Sequence, residues 1–190
     1  MSEKKICLIA GLGNPGDRYN KTRHNAGFMV IDIISNHFNI PVNKKKFNNI
    51  YGLGVFEDNK VILTKPQNYM NLSGPPVLAL AKFYKISCEE ILIIHDDIDI
   101  DFKKIKMKMK GGDGGHKGIH SLIEAFQSND FARLRFGIGR PEHNRPVNKH
   151  VLGVFPSEDE KYLQSMLKMS VDAVQTLLCF GKNVCMNRFN

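Results

Sequence analysis

The sequence predicts an α/β protein: one three-layer domain over residues 1–190, with a mixed, mostly parallel central sheet flanked by helices. Strand-like and helix-like segments alternate along the chain, which is typical of this class. The apolar run at residues 91–94 is continuous, as expected for a strand that is covered on both faces. A hairpin-like pair at residues 50–57 and 61–64 adds antiparallel strands and makes the sheet mixed.

The first elements are a strand at residues 5–10, a polar loop and a helix. Apolar side chains recur at helical spacing from Phe28 through Ile31, Ile34 and Phe38, so the helix is expected to start near Phe28.

The hairpin follows, with Asp58 and Asn59 as its turn. Ser73 and the glycine and prolines after it are typical of a helix start, because proline is tolerated in the first turn. This second helix is expected to turn the following side chains toward the core: Leu78, Ala81, Phe83 and Tyr84.

Lysine and apolar residues alternate over residues 104–110, which predicts a strand with one lysine face. The glycine loop "GGDGG" then leads to a helix at residues 116–127. Residues 131–138 form another predicted strand, with Arg133 and Arg135 on the face opposite its apolar residues.

The last element is a long amphipathic helix that ends near Gly181. Ser157 and Glu160 have the spacing of a capping box and are expected to open it.

The net charge of +8 favours an anionic partner, with RNA or DNA ahead of a membrane because no strongly basic amphipathic helix is present. No apolar run approaches the ~20 residues that span a bilayer, and the N-terminus does not predict a signal peptide. The four cysteines lack paired metal spacing, which indicates free thiols in a reducing cytoplasm.

Gly11, Gly13 and Gly16 have the spacing of a dinucleotide-binding loop. That motif requires a helix to begin at the third glycine. Here Asn14, Pro15 and Gly16 are typical of a turn, so the glycines favour a shaped loop over a nucleotide cofactor.

Polar residues cluster where three predicted strands end, the edge at which sheets of this class bind ligands. The residues are Asn14, His24 and Asn25, then Asn68, Tyr69 and Asn71, then His95, Asp96, Asp97 and Asp99. A histidine oriented by a carboxylate is a general base, and asparagine amides can hold the amide groups of a peptide. Each residue, taken alone, is also compatible with ordinary turn and cap chemistry.

Two further interpretations stay open. His116 and His120 are four residues apart on one predicted helix face, which is a possible metal-binding arrangement without the accompanying glutamate of known motifs. The lysine strand either protects a sheet edge from aggregation or, together with Arg133 and Arg135, binds phosphate groups of a nucleic acid.

Five segments in this order resemble the bacterial-type peptidyl-tRNA hydrolase family: "GLGNPGDRYNKTRHNAG", "KPQNYMNLSG", "HDDID", "KGGDGGHKGIHSL" and "FARLRFGIGRP" with "VLGVFPSEDE" after it. The resemblance implies a cytoplasmic, monomeric enzyme that hydrolyses the ester between a peptide and the terminal ribose of tRNA, without metal or cofactor. Such an enzyme recycles tRNA from stalled translation.

The resemblance also implies roles for individual residues. His24 is expected to be the base that activates a water, and Asp96 the carboxylate that keeps it basic. Asn14 is expected to distinguish peptidyl-tRNA from aminoacyl-tRNA. The remaining site residues are Tyr19, Asn25, Tyr69 and Asn71 for the substrate, and Lys108 and Arg135 for the 5′-phosphate of the tRNA.

Two positions depart from the family pattern. Tyr69 replaces a phenylalanine, and Lys117 replaces an asparagine that contacts substrate or orients the water. A lysine ammonium donates hydrogen bonds but accepts none. Either the site tolerates Lys117 or the chain is a weaker enzyme, and a non-catalytic RNA-binding relative is the alternative class of function.

Overall fold

The computed structural model describes residues 6–141 and 146–190, and a seven-stranded sheet runs through them. Its strands are β1 Ile6–Gly11, β2 Lys44–Lys46, β3 Asn49–Phe56, β4 Asn59–Pro66, β5 Ile91–Asp97, β6 Ile105–Lys108 and β7 Ala132–Gly137. The strand order is β2-β3-β4-β1-β5-β7-β6. The four central strands β4, β1, β5 and β7 are parallel, and β2, β3 and β6 pair antiparallel at the edges. The predicted mixed sheet with a parallel centre is confirmed.

Helices cover both faces of this sheet. They are α1 Ala26–Phe38, α2 Gly74–Tyr84, α3 Lys117–Phe126, α4 Val147–Val151 and α5 Glu160–Phe189, the last interrupted at Gly181. Helices α1 and α5 pack on one face, and their buried residues belong to one apolar cluster with Leu92 and Ile94 of β5. Helices α2 and α3 pack on the other, against Ile91 and Ile93. This double cover explains why the run in β5 is apolar at every position.

The first strand begins at Ile6, and the predicted start at Lys5 lies outside the described residues. Helix α1 begins two residues before the predicted Phe28 and packs tightly against β1. A Cβ atom on Gly11 would lie 2.2 Å from the carbonyl oxygen of Gly27, so glycine is needed where β1 and α1 meet. Gly16, with a φ of 102°, forms the turn predicted from the sequence.

The hairpin of β3 and β4 forms as predicted, although its turn lies at Glu57 and Asp58, one residue earlier than expected. The prediction for α2 was wrong at Phe83, which is 52% exposed. The face of α2 that enters the core consists of Val77, Leu80 and Ala81.

The capping box predicted at Ser157 and Glu160 does not form. Ser157 lies in a 3₁₀ turn that precedes α5, and the N-cap residue Asp159 makes no side-chain capping bond. A capping box is present instead at Ser87 and Glu90, ahead of β5. In the described part of the chain, no helix combines the length and the apolar character needed to cross a membrane.

Candidate active site

A cleft of about 610 Å³ opens where the parallel strands β1, β4 and β5 end. It is lined by six of the residues expected at the site: Asn14, Tyr19, His24, Tyr69, Asn71 and Asp96. These residues come from three separate loops and strand ends. The parallel centre of the sheet brings them together because the carboxyl ends of parallel strands share one edge.

His24 and Asp96 form a hydrogen-bonded pair at the base of this cleft. The His24 Nδ1 lies 2.8 Å from Asp96 Oδ1, and the aspartate side chain is only 2% exposed against 12% for the histidine. A carboxylate oxygen accepts hydrogen bonds, so Nδ1 of His24 is the nitrogen that carries the proton. Its Nε2 therefore has a free lone pair, which can take a proton.

His116 is a second donor to the same carboxylate oxygen. Its Nε2 lies 3.0 Å from Asp96 Oδ1, and its Nδ1 accepts hydrogen bonds from the backbone N–H groups of Gly118 and Ile119. His116 is thus the N-cap of α3, and the two backbone donors require an unprotonated Nδ1. The N–H of its ring is on Nε2 and points at Asp96.

The electrostatics of the cluster follow from these contacts. Burial opposes the charge on Asp96, but the contacts with His24 and His116 outweigh it and keep the pKa of Asp96 well below its usual range. Burial, together with the nearby His116, lowers the pKa of His95 well below 6.5. His95 is therefore neutral, and its Nδ1–H donates to the Asp96 carbonyl oxygen at 2.7 Å.

Asn14 is held in place by its own side chain and by Asn25. Its Oδ1 accepts from the Met70 backbone N–H at 2.8 Å, which leaves the Nδ2 group as the donor available to the cleft. The Asn25 side chain is fully buried and makes two 2.9 Å bonds, one to the N–H and one to the carbonyl of Asn14. Asn25 therefore orients Asn14, and its own side chain is buried beneath Asn14 and is not among the residues that line the cleft.

Lys108 and Arg135 do not line the cleft, although they share one face of the sheet. In the β6–β7 register Lys108 is paired with Arg133, and Arg135 is paired with Lys106. The Arg135 Nε donates to Asp97 Oδ2 at 2.7 Å, so this arginine is anchored to the carboxylate that follows Asp96. A phosphate bound here would contact the remaining guanidinium N–H groups.

Arg133 points into the protein. Its side chain is buried and donates to the carbonyl oxygens of Gly111 and Gly112, so it fixes the start of the glycine loop. A Cβ atom on Gly111 would lie 2.7 Å from the Lys108 ammonium, which places that charge directly over the loop.

The geometry changes the metal hypothesis. His120 is turned toward Asp113 and Glu124, so His116 and His120 do not share a ligand position. Potential ligand atoms of His24, Asp96 and His116 do lie within 4.8 Å of one another. A metal on His116 would have to displace the Nε2 proton, and the capping bonds prevent Nδ1 from accepting it. These contacts fit a hydrogen-bonded cluster better than a metal centre.

Sequence reasoning missed His116 as a partner of Asp96, because a histidine is an unusual N-cap residue. The available signal was its position between a glycine loop and the first apolar residue of a helix. It also missed the wall of the cleft formed by α4, where Val147 and Leu152 are exposed apolar residues. The short α4 has no sequence period from which to predict it.

A doubly covered α/β sheet with a histidine–carboxylate cluster in an open cleft defines the class as a small α/β enzyme. The family model described as peptidyl-tRNA hydrolase matches residues 8–190. The peptidyl-tRNA hydrolases of Clostridium botulinum and Caldanaerobacter subterraneus are each 45% identical to this chain over 185 residues. Both matches cover 97% of this chain, and they cover 96% of the Clostridium protein and 100% of the Caldanaerobacter protein. The crystal structure of peptidyl-tRNA hydrolase from Acinetobacter baumannii is 38% identical with a TM-score of 0.92, and the match covers 100% of this chain and 97% of that one. The chain belongs to the peptidyl-tRNA hydrolase family.

Proposed function

We propose that this protein hydrolyses the ester between the peptide and the terminal ribose of peptidyl-tRNA, and so returns tRNA from stalled translation. Family membership over nearly the whole chain supports the substrate. The single observation that supports the chemistry is the His24 ring, with one nitrogen bonded to buried Asp96 and the other free in the cleft.

In the proposed reaction, His24 Nε2 takes a proton from a water molecule as the water oxygen bonds to the ester carbonyl carbon. The carbonyl electrons move to its oxygen and form a tetrahedral intermediate. When these electrons re-form the carbonyl double bond, the bond between the carbonyl carbon and the ribose oxygen breaks. The imidazolium of His24 then gives its proton to the ribose oxygen. Asp96 stabilises the imidazolium through the 2.8 Å bond and fixes the required tautomer.

The other cleft residues position the substrate. Asn14 offers its Nδ2 group as a donor to a peptide carbonyl. Asn71, Tyr19 and Tyr69 line the cleft and contact the peptide or the terminal nucleotide. Asn25 acts through Asn14 as a positioning residue.

Lys108 and Arg135 contact phosphate groups outside the cleft. Lys108 lies on the edge strand β6, and Arg135 lies on its neighbour β7. Charged side chains on the exposed face of an edge strand suit contacts to a tRNA backbone, which position the nucleic acid without reading its sequence.

We further infer that the reaction uses no metal and takes place in the cytoplasm. The capping bonds of His116 support the first inference. The second is supported by the role in translation that family membership implies.

The test is release of an N-blocked amino acid from tRNA by the wild-type protein and by His24→Ala. We expect the substitution to lower kcat by about 10²–10⁴ with little change in tRNA affinity, because only the proton transfer is lost. His37→Ala, at an exposed position on α1, is the matched control and should behave as wild type.

Near-normal hydrolysis by His24→Ala would remove the proposed base. Activity lost in a chelator would support a metal. Tight tRNA binding by a wild-type protein that releases no amino acid would identify a non-catalytic RNA-binding relative.

A further inference from the structure

Lys117 is the one lysine or arginine among the described residues that line the cleft. It is the first residue of α3, directly after the N-cap His116, and its side chain is exposed. Its ammonium has no ion-pair or hydrogen-bond partner within residues 6–141 and 146–190. An unpaired cation in the cleft would attract an anionic group of the proposed substrate.

The carboxylates of the cleft do not neutralise Lys117, because each has other partners. Asp96 accepts from His24 and His116. Asp97 accepts from Arg135 Nε and the Asp99 backbone N–H.

The third carboxylate, Asp113, accepts from the Gly115 backbone N–H at 2.9 Å and from His120 at 2.8 Å. The charge of Lys117 is thus available to a ligand.

Positive charge continues from the lysine strand into the cleft along the glycine loop. Two cations lie at the start of this loop. The Lys108 ammonium lies over Gly111, and the Arg133 guanidinium donates to the Gly111 carbonyl oxygen. Lys117 follows the other end of the loop. A nucleic acid strand that passes along the loop would therefore meet a cation at its entry into the cleft.

Two anionic groups of the substrate could meet Lys117: the oxyanion of the tetrahedral intermediate and the phosphate nearest the ester. An oxyanion is stabilised by donors that are fixed in advance in a water-excluded position. Lys117 is exposed and has a flexible stem, which suits a permanent phosphate charge better.

Resting on the proposed function, we propose that Lys117 binds the phosphodiester group on the 5′ side of the terminal nucleoside of peptidyl-tRNA. The contact draws the terminal nucleotide into the cleft, so that its ribose ester lies beside His24. Lys117 then determines specificity for a nucleotide ester over a nucleoside ester.

The experiment compares three substrates that carry the same N-blocked amino acid: the ester of adenosine, the ester of 5′-AMP and the full tRNA. We expect Lys117→Met to raise KM for the AMP ester and the tRNA by about five- to tenfold. Its kinetics with the adenosine ester should not change. Lys117→Arg should restore KM, and Lys168→Met, at an exposed position on α5, controls for net charge.

A second measurement does not depend on turnover of small esters. Inhibition of tRNA-ester hydrolysis by 5′-AMP and by adenosine is compared, and Lys117→Met should remove the advantage of 5′-AMP. An equal loss with the adenosine ester would place Lys117 at the reacting carbonyl and overturn the proposal. An unchanged KM for all substrates, with unchanged inhibition, would show that Lys117 is a solvated surface charge.

His24→Ala is assayed in parallel to separate this proposal from the proposed mechanism. If that variant keeps its activity, the general base is wrong. The difference between 5′-AMP and adenosine as inhibitors would still test the phosphate contact, because it requires no proton transfer.

Discussion

Replacing Asp96 with asparagine tests the electrostatic part of the proposed mechanism. The carboxylate is buried, accepts two N–H bonds on one oxygen and is ionised because its pKa is well below the usual range. Asparagine has nearly the same shape but no charge. It can also turn its amide group toward His24, which would then need the opposite tautomer and lose its free Nε2.

The expected magnitude follows from the distance between the groups. His24 Nδ1 and Asp96 Oδ1 are 2.8 Å apart, so the charge centres of an imidazolium–carboxylate pair lie roughly 4 Å apart, where their attraction is about 4 kcal/mol at an effective dielectric constant of about 20. The imidazolium exists only after proton transfer, so most of this attraction acts on the transition state. We expect Asp96→Asn to lower kcat by about 10²–10³.

The assay is steady-state release of an N-blocked amino acid from tRNA, with tRNA affinity measured separately by fluorescence anisotropy. Asp101→Asn is the matched control, since Asp101 is exposed and forms an exposed ion pair with Lys104. A loss of kcat below about fivefold, in a variant that is folded by circular dichroism, would refute the electrostatic reasoning. A loss confined to tRNA affinity would refute the assignment of Asp96 to the chemical step.

Lys108→Met and Arg135→Gln should each raise KM for tRNA substrates and reduce the log–log salt slope of tRNA binding by about one. Lys82→Met, at an exposed position on α2, is the control and should change neither quantity. If all three variants have the same slope, the lysine strand only protects a sheet edge from aggregation. The pKa of His95 is lowered in the folded state, so the unfolded state takes up the proton first as the pH falls below 6.5. The contribution of His95 to the free energy of unfolding should therefore drop by up to about 1.4 kcal/mol per pH unit. His95→Phe should flatten the pH dependence of the free energy of unfolding below pH 6.5, as measured by urea unfolding. An unchanged slope would contradict this role of His95. Asn25→Ala should cost about 1–3 kcal/mol in thermal or urea unfolding, because it leaves buried backbone groups of the cleft unpaired; a change within experimental error would contradict this.

Much of the fold could be predicted because the apolar pattern of the sequence matches the packing of the helices on the sheet. The run at residues 91–94 is apolar at every position since helices cover both faces of β5. The turn before β4 contains Asp58, a residue type that turns prefer. The failures occur where tertiary contacts override the local signal. Phe83 has the spacing of a core residue, but it lies near the exposed aromatic ring of Phe47, and the Lys46 ammonium lies over its ring.

The site was predictable in part for a related reason. Asn14 and His24 come after the first predicted strand and Asp96 comes at the end of the central one, and the structure brings them around one cleft. The sequence does not indicate which nitrogen of a ring is free or which amide is buried against the backbone. Asn25 could be distinguished from Asn14 only by its two bonds to the Asn14 backbone.

The two histidines on Asp96 differ in what their second nitrogen does, and this difference favours His24 over His116 as the proposed base. Nδ1 of His116 accepts two backbone N–H groups at the start of α3, so protonating it would place a proton against two donors. Nε2 of His24 has no such constraint and lies in the cleft. One carboxylate therefore holds both the ring proposed to exchange protons and the N-cap residue of α3. Because Lys117 follows that N-cap residue, the same contact also fixes the backbone from which the Lys117 side chain enters the cleft.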